Sequence, residues 1–253
     1  MAAMTPARAF VWVWLPGASE PVVSGRLDAL GDQLAFTYGR SYLARTGAIS
    51  LFTPELPLRA GRTLPSPDRD TFGCIRDAAP DAWGQRVILS RLAGRLTRDS
   101  DTGSLPILTY LLEAASNRIG ALDFQGSAEQ YVPRGGGATL ADMLEAADRL
   151  QAGQAIPAEL EPALLHGTSI GGARPKATLV DGGRELIAKF SSTTDPYPVV
   201  KAEAPFSTNR SSAAASNSPG RASLRRSRLA CTAGWSSMKA GKDMKLMTGG
   251  LLM

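Results

Sequence analysis

Phe10-Val-Trp-Val-Trp-Leu15 is the first regular stretch of the chain, and Pro16-Gly17 ends it. An unbroken run of β-branched and aromatic residues favours a strand, and a proline–glycine pair is typical of the turn that follows one. Two more strands are predicted next, over residues 21–30 and 33–38, with Leu30-Gly31-Asp32 as their connection. The chain is therefore expected to open with a β-rich unit.

The pattern of apolar residues then changes from strands to helices. Residues 48–52 are predicted as a fourth strand, and several prolines after it mark a loop. Residues 81–92 place Ala82, Val87-Ile88 and Leu92 on roughly one helical face, with Pro80-Asp81 as the start signal. Because strands are followed by helices along the chain, the predicted fold class is α+β.

Two residues near the helix starts are interpreted as structural. Trp83 lies on the helix predicted over residues 81–92, and a tryptophan on a helix face is usually packed in the core, so Asp81 and Trp83 are not predicted as a site.

A second helix is predicted over residues 105–115, with Ser104 as its cap and Pro106 in its first turn.

A third helix and a hairpin are predicted in the second half of the chain. Residues 139–150 form a helix capped by Thr139, and Asp142 in its first turn favours the helix dipole. A short helix follows over 159–165. Two β-rich runs then flank Asp181-Gly182-Gly183, and Asp-Gly between such runs is a strong hairpin signal because the turn needs positive φ.

The composition changes abruptly after residue 204. Residues 206–237 are rich in Ser, Ala and Arg, lack a helical or strand period and contain no acidic residue. Low hydrophobicity with uncompensated charge favours disorder, so residues 205–253 are predicted to be a low-complexity, disordered tail. One hypothesis for so sharp a change is that the reading frame slips near Glu203, so that the tail is translated out of frame. The coding DNA sequence tests this hypothesis. The Arg-rich residues 221–228 are interpreted as part of a tail without function.

The net charge of +5 also belongs to this tail. Residues 205–253 contain eight Lys and Arg and one Asp, a net charge of +7, whereas the other 204 residues contain 20 basic and 22 acidic residues. These 204 residues therefore lack the excess of positive charge that is typical of a nucleic-acid-binding protein. With no stretch of 18 apolar residues and no signal-peptide pattern, a cytoplasmic protein that does not enter the membrane is expected.

The cysteine and histidine residues do not indicate a metal site. Cys74 and Cys231 lie far apart without a C-x-x-C spacing, so a disulfide framework or zinc site is not expected. The single histidine, His166, precedes a glycine and is interpreted as an ordinary surface residue.

The candidate site begins with a glycine-rich segment. Gly171-Gly172 lies between Ser169 and Lys176, directly before the hairpin, where backbone N–H groups can approach phosphates. The segment lacks the G-x-x-x-x-G-K-[ST] pattern of a P-loop, and a plain turn before a strand is the alternative. Lys189 follows in Ile187-Ala-Lys-Phe190, where a kinase carries the lysine that pairs with ATP phosphates. A lysine pointing to solvent from an edge strand is the alternative there.

Several motifs in order resemble the HipA family of serine/threonine kinase toxins of type II toxin–antitoxin systems. They are Phe36-Thr-Tyr38, Ala48-Ile-Ser-Leu51, Pro80-Asp-Ala-Trp-Gly-Gln-Arg86, Ser169-Ile-Gly-Gly-Ala-Arg-Pro-Lys176, Leu186-Ile-Ala-Lys-Phe190 and Val199-Val-Lys-Ala-Glu203. The resemblance covers about residues 10–204. It implies a HipA-like β-rich subdomain over 8–116, a partial kinase-like N-lobe over 117–204 and a tail over 205–253.

The resemblance also implies residue roles. ATP phosphates would be lined by Gly171, Gly172, Ala173, Arg174, Pro175 and Lys176. Lys189 would hold the α- and β-phosphates, Glu203 would be the αC-type glutamate, and Ser169 would be autophosphorylated, adding about −2 charge that expels ATP. The implied cofactors are ATP and Mg²⁺. The implied partners are a HipB-like helix-turn-helix antitoxin, operator DNA through that antitoxin, and a protein substrate such as an aminoacyl-tRNA synthetase.

The sequence departs from the family after Glu203. Phosphoryl transfer needs a catalytic-loop Asp, an Asn on the metal and a second Asp on Mg²⁺. The chain has a single acidic residue after Glu203, Asp243, and no catalytic or metal-binding residue is identifiable. The chain is therefore expected to be a HipA-like protein truncated after the kinase small lobe and inactive as a kinase. The alternatives are a non-catalytic antitoxin-binding module and a pseudogene product.

Overall fold

The computed structural model describes residues 6–93, 101–118, 120–135, 138–165 and 168, together with the backbone of three strands at 176–181, 184–190 and 229–232. The fold is α+β, as predicted. In chain order its elements are β1 (Arg8–Val13), β2 (Val22–Leu30), β3 (Gln33–Tyr38), α1 (Arg40–Leu43), β4 (Arg62–Thr63), α2 (Gly73–Asp77), α3 (Ala82–Ala93), α4 (Ile107–Glu113), β5 (Leu122–Gln125), α5 (Leu140–Gln151), α6 (Glu161–Leu165), β6 (Lys176–Asp181), β7 (Arg184–Phe190) and β8 (Leu229–Thr232).

Within the described residues, five strands form an antiparallel sheet in the order β4-β3-β2-β1-β5. The predicted strands over 21–30 and 33–38 are confirmed as β2 and β3, and Leu30 pairs with Gln33 across a two-residue turn. Gly31 in that turn has φ of +58°, which glycine adopts without the clash that a Cβ causes. The turn therefore sets the register of this hairpin.

One face of the sheet packs against α1, α2 and α4. In β1, alternate residues Ala9, Val11 and Val13 face this core, as the two-residue period of a strand requires. The other face carries Trp12, whose indole N–H donates to the carbonyl of Ser127 at 3.1 Å. The buried members of the core are Ala9, Val11, Val13, Leu27, Leu34, Phe36, Tyr38, Tyr42, Leu56, Phe72, Ile75, Leu108, Leu111 and Phe124.

A second core lies between α3, α5 and α6. Trp83 of α3 is buried there with Leu150 of α5 and Leu164 of α6, which confirms its interpretation as a packing residue. Burying a large apolar side chain stabilises the fold by roughly 1.5–3 kcal/mol. α5 begins with the predicted cap, because the Thr139 hydroxyl accepts from the Asp142 N–H at 3.2 Å and the Asp142 carboxylate accepts from the Thr139 N–H at 3.0 Å.

The predicted fourth strand at residues 48–52 is wrong. The strand beside β3 is β4, and the backbone around residue 50 binds tyrosine hydroxyls instead of a neighbouring strand. Tyr38 accepts a hydrogen bond from the Leu51 N–H at 2.9 Å and donates to the Leu56 carbonyl at 2.7 Å. Tyr42 donates to the Ile49 carbonyl at 2.9 Å. Side chains thus satisfy groups that a strand would pair with another strand.

The predicted cap at Ser104 is also wrong. Ser104 lies in a 3-10 turn at Thr102–Ser104, and α4 begins after Pro106. Leu105 has φ of −100° and ψ of 138°, which is extended backbone. A residue before proline is pushed toward this conformation by the proline ring, so the helix starts after the proline.

A second sheet contains the predicted hairpin. Asp181 of β6 pairs with Arg184 of β7, which confirms the hairpin, and β8 pairs with the outer edge of β7. No strand was predicted in residues 206–237, and β8 corrects that prediction. Leu229-Ala-Cys-Thr232 is an uncharged run, and an unpaired strand edge offers N–H and C=O groups to such a run.

Candidate functional site

The β6–β7 hairpin brings together two of the predicted ATP-binding residues. Lys176 is the first residue of β6, and it pairs directly with Lys189 of β7. Both residues were predicted to contact ATP, and the register makes them partners across the two strands. Their roles in nucleotide binding stay predictions.

The register also gives the neighbour of Lys189 on the other side of its strand. Across that edge of β7, Lys189 pairs with Ala230 of β8. Within the described residues β7 is therefore the central strand of this sheet, and the alternative that placed Lys189 on an edge strand is wrong.

The remaining predicted site residues lie outside the described residues. They are Ser169, Gly171, Gly172, Ala173, Arg174, Pro175 and Glu203, and His166, interpreted as an ordinary surface residue, also lies outside the described residues. Their assignments stay predictions. Thr168, which is described, immediately precedes Ser169 in the chain.

Thr168 is fully buried and bonded to two helical elements. Its hydroxyl accepts a hydrogen bond from the backbone N–H of Ala115, just after α4, at 2.9 Å. The same hydroxyl donates to the carbonyl of Leu165, the last residue of α6, at 2.8 Å. The Thr168 N–H donates to that carbonyl at 3.1 Å. The residue before the glycine-rich segment is thus fixed to the helical body.

Gly84 of α3 lies against the backbone of Thr168. A Cβ added to Gly84 would lie 2.7 Å from the Thr168 carbonyl oxygen and 3.1 Å from its Cα. It would also lie 2.8 Å from Cβ of Pro80. Because two of these atoms belong to the backbone, a side chain at Gly84 would force the helix and Thr168 apart.

A buried charge cluster surrounds Asp123 of β5. One carboxylate oxygen accepts from Arg118 Nε at 3.0 Å and from Arg134 Nη2 at 2.8 Å. The other accepts from the Ser116 hydroxyl at 2.6 Å and the Tyr131 hydroxyl at 2.9 Å. The carboxylate is inaccessible to solvent, and these four donors account for its lone pairs.

Arg118 connects the cluster to the core. Its guanidinium donates to the carbonyls of Ala78 and Leu111, the latter at 2.7 Å. The guanidinium carbon also lies 5.2 Å from the ring centroid of Phe124, a cation–π contact. Arg134 in turn donates through Nε to the carbonyl of Ala114 at 2.9 Å. The cluster therefore joins β5 to the ends of α2 and α4.

The electrostatics of the cluster keep Asp123 ionised. Burial alone raises the pKa of Asp123, but the charges of Arg134 and Arg118 and the hydrogen bonds from Ser116 and Arg118 outweigh burial, so its pKa lies below the ordinary 3.8. Burial raises the pKa of Tyr131 to about 12. With every carboxylate donor supplied by the protein, the cluster supports the fold and offers no acid or base to a substrate.

Sequence analysis did not find this cluster. Its members lie between residues 116 and 134, and no fixed spacing links them. The available signal is Asp123 itself, a carboxylate between Leu122 and Phe124 in a strand, because a buried carboxylate needs a paired cation.

Cys74 is a free thiol packed at the edge of the sheet core. Burial, and then the negative charge of Glu55, raise the pKa of Cys74 to about 12. Because the thiolate is the reactive form, this thiol is a poor nucleophile at neutral pH.

Neither a metal-ligand cluster nor a helix that could span a membrane occurs within the described residues. Among these residues, no three or more His, Cys, Asp and Glu side chains cluster as metal ligands would. Within the same part of the chain, no helix combines the length and apolar character needed to cross a bilayer.

A scan of protein-family models gives no match to this chain, and a search of curated protein sequences gives none either.

Proposed function

We propose that the chain has the nucleotide-binding elements of a HipA-like serine/threonine kinase toxin, with the β6–β7 hairpin contacting the phosphates of ATP. The observation that carries the proposal is the direct pairing of Lys176 with Lys189. A polyphosphate relieves the repulsion between the two ammonium groups and is bound by both. The glycine-rich sequence that enters β6 supplies backbone N–H groups suited to the same anion.

The proposal separates binding from catalysis. ATP brings the transferable phosphoryl group, and the two lysines bind and orient its phosphates. Mg²⁺ is the second cofactor that the resemblance implies, and in a kinase its ligands lie after the position that corresponds to Glu203. The sequence after Glu203 has one acidic residue, Asp243, where phosphoryl transfer needs several polar groups. We expect nucleotide binding without measurable phosphoryl transfer.

Titration of the full chain with a fluorescent ATP analogue tests the proposal. We expect saturable binding, and Lys189→Gln or Lys176→Gln should raise the Kd by about tenfold or more, because a hydrogen bond to a charged group contributes roughly 1.5–3 kcal/mol. Arg59→Gln is the matched control, since Arg59 is an exposed cation of the first half of the chain. Equal Kd values for Lys189→Gln and the unchanged chain would refute the proposal.

The same samples test the expected lack of catalysis. Incubation with radiolabelled ATP and a protein substrate such as an aminoacyl-tRNA synthetase should transfer no more phosphate than the Lys189→Ala variant does. Turnover above that background would show that the chain is an active kinase.

A second candidate function is a non-catalytic module that binds a HipB-like helix-turn-helix antitoxin, and operator DNA through it. The observation that favours this candidate is the composition of the sheet core, whose buried residues all lie between Ala9 and Phe124 in the chain. None of them belongs to the β6–β7 hairpin on which the first proposal rests. A purified helix-turn-helix antitoxin mixed with the full chain should co-elute with it in gel filtration, and Lys189→Gln should not change that. Separate elution at micromolar concentrations would remove this candidate.

A further inference from the structure

The second face of the five-stranded sheet is polar, in contrast to the face that carries the core. One row of directly paired residues crosses it from β1 to β4, namely Phe10, Arg26, Thr37 and Arg62. Directly paired residues point to the same side of a sheet, and along each strand they alternate with core residues such as Leu27 of β2. Arg62 is exposed and the other three side chains are half-buried, so a ligand can reach the whole row.

Positive charge collects on this face. Arg8 of β1 pairs with Asp28 of β2 and so shares the face, and the side chains of Arg8 and Arg26 are 51% and 41% exposed. Both donate to Asp28 through Nε, at 2.7 and 2.8 Å, which uses one of the five N–H donors of each guanidinium. Arg62 adds a third arginine, whereas the other acid among the strand positions of this face, Asp123, is balanced by arginines of its own. The face therefore has an excess of positive charge.

The fold creates this excess from a composition that lacks it. Over the first 204 residues the acids outnumber the bases by 22 to 20, and the charge summed along these residues predicts no affinity for a polyanion. A ligand on the sheet meets the arginines of one face together, so the local charge decides which ligand is attracted.

An aromatic ring among the arginines indicates the kind of anion. Phe10 is half-buried, so part of its ring faces solvent beside Arg26. The bases of a single strand stack on aromatic rings and on guanidinium planes, while the phosphates bond to arginine. An acidic polypeptide pairs with the arginines but gains no base stacking from the ring, and a duplex keeps its bases stacked on one another. Phe10 and the arginines together therefore fit a single strand.

We propose that the arginine face, formed by Arg8, Phe10, Arg26, Thr37 and Arg62, binds single-stranded nucleic acid. One base stacks on Phe10, and the arginines hold neighbouring phosphates. Arg26 and Arg62 lie two strands apart, about 10 Å across the sheet, and Thr37 between them offers a hydroxyl to a phosphate oxygen or a sugar. The proposal goes beyond the proposed function, because it concerns the first sheet and not the β6–β7 hairpin, and either can fail without the other.

Fluorescence anisotropy of a short labelled oligouridine, titrated with the full chain at several salt concentrations, tests the proposal. Arg26→Gln and Arg62→Gln should each lower the slope of log Kd against log salt by about 0.7, because each phosphate contact to a single strand contributes about that much. Phe10→Leu should raise the Kd about fivefold or more through lost stacking and leave the slope unchanged. The matched control is Arg45→Gln, which should change neither quantity, since Arg45 is exposed after α1 and α1 packs on the opposite face.

Ultraviolet cross-linking of the same complex locates the contact, because residues 205–253 are also basic and can attract the oligonucleotide. After trypsin digestion, the peptide of residues 9–26, which contains Phe10, should carry the cross-linked uridine. Cross-links confined to residues 205–253, or equal slopes for Arg62→Gln and Arg45→Gln, would overturn the proposal. So would labelled polyglutamate that binds as tightly as oligouridine while Phe10→Leu changes neither Kd, because the partner is then an acidic polypeptide. If the thermal midpoint shows that Phe10→Leu does not fold, the cross-link and Arg62→Gln decide.

Discussion

The Asp123 cluster and the β6–β7 hairpin carry charged residues in two different settings. Asp123 is enclosed by two arginines and two hydroxyls, so its charge is balanced within the protein. The strand register pairs Lys176 directly with Lys189, and the proposed nucleotide site rests on that pairing. The comparison teaches that a charge balanced within the protein supports the fold, whereas the proposed site would take its opposite charge from a ligand.

The largest expected effect comes from removing the buried carboxylate. Asp123→Asn leaves two arginines without their counter-ion, and breaking a buried pair in this way costs about 3–5 kcal/mol of unfolding free energy. Urea denaturation measures it. The control is Glu145→Gln, which removes the exposed i,i+4 pair with Arg149 and should cost less than about 0.5 kcal/mol. Equal losses of unfolding free energy in the two variants would contradict the expected difference between a buried and an exposed ion pair.

The lysine pair should respond with the opposite sign. Lys189→Gln removes the repulsion between directly opposed charges, so without nucleotide the unfolding free energy should rise by about 0.2–1 kcal/mol. With the ATP analogue present, the same variant should lose the added stability that ligand binding gives the unchanged chain. Thermal unfolding with and without the analogue measures both. A loss of stability in the nucleotide-free variant would mean that Lys189 is balanced within the protein.

Acid should reduce the contribution of the Asp123 cluster to the unfolding free energy. The folded pKa of Asp123 lies below its unfolded value near 3.8, so its contribution to stability is present above that pH and is lost as the pH falls through the folded pKa. Asp28, paired with Arg8 and Arg26, acts in the same direction. Below about pH 4 the unfolding free energy should fall by up to ~1.4 kcal/mol per pH unit for each group. A pH series of urea titrations checks this, and Asp123→Asn should show a shallower slope.

The cap of α5 tests how much an exposed polar contact contributes to the unfolding free energy. Thr139→Ala removes the exposed cap of α5 and should cost about 1 kcal/mol. Thr53→Ala, at an exposed position in a loop, should change the unfolding free energy by less than about 0.5 kcal/mol. If Thr139→Ala lowers the unfolding free energy as much as Asp123→Asn does, buried and exposed polar groups do not differ in what they contribute to the stability of this chain.

Features with local signals were predicted well. β3 and the cap at Thr139 follow from strand composition and from a threonine three residues before an aspartate. The β6–β7 hairpin follows from Asp-Gly between β-rich runs. In each case the atoms that decide the structure lie within a few residues of one another, so the sequence shows them directly.

Features that depend on distant partners were missed. Residues 48–52 have strand composition, yet the hydroxyls of Tyr38 and Tyr42 bind their backbone. β5 was not predicted, because its four residues become a strand only beside β1. The contact between Gly84 and Thr168 was equally invisible, since a glycine in a helix has no local signal for what lies against it. The roles of Ser169, Gly171 and Glu203 stay predictions.

The place of β1 between β2 and β5 has a consequence for synthesis on the ribosome. Trp12 of β1 bonds to Ser127, a residue 115 positions later. At 5–20 residues per second, the nascent chain leaves that edge of β1 open for roughly 6–23 seconds before its partner emerges. During this interval a strand with Val11, Trp12 and Val13 in succession offers free backbone groups to any other strand, so slower translation should increase aggregation of the newly made protein.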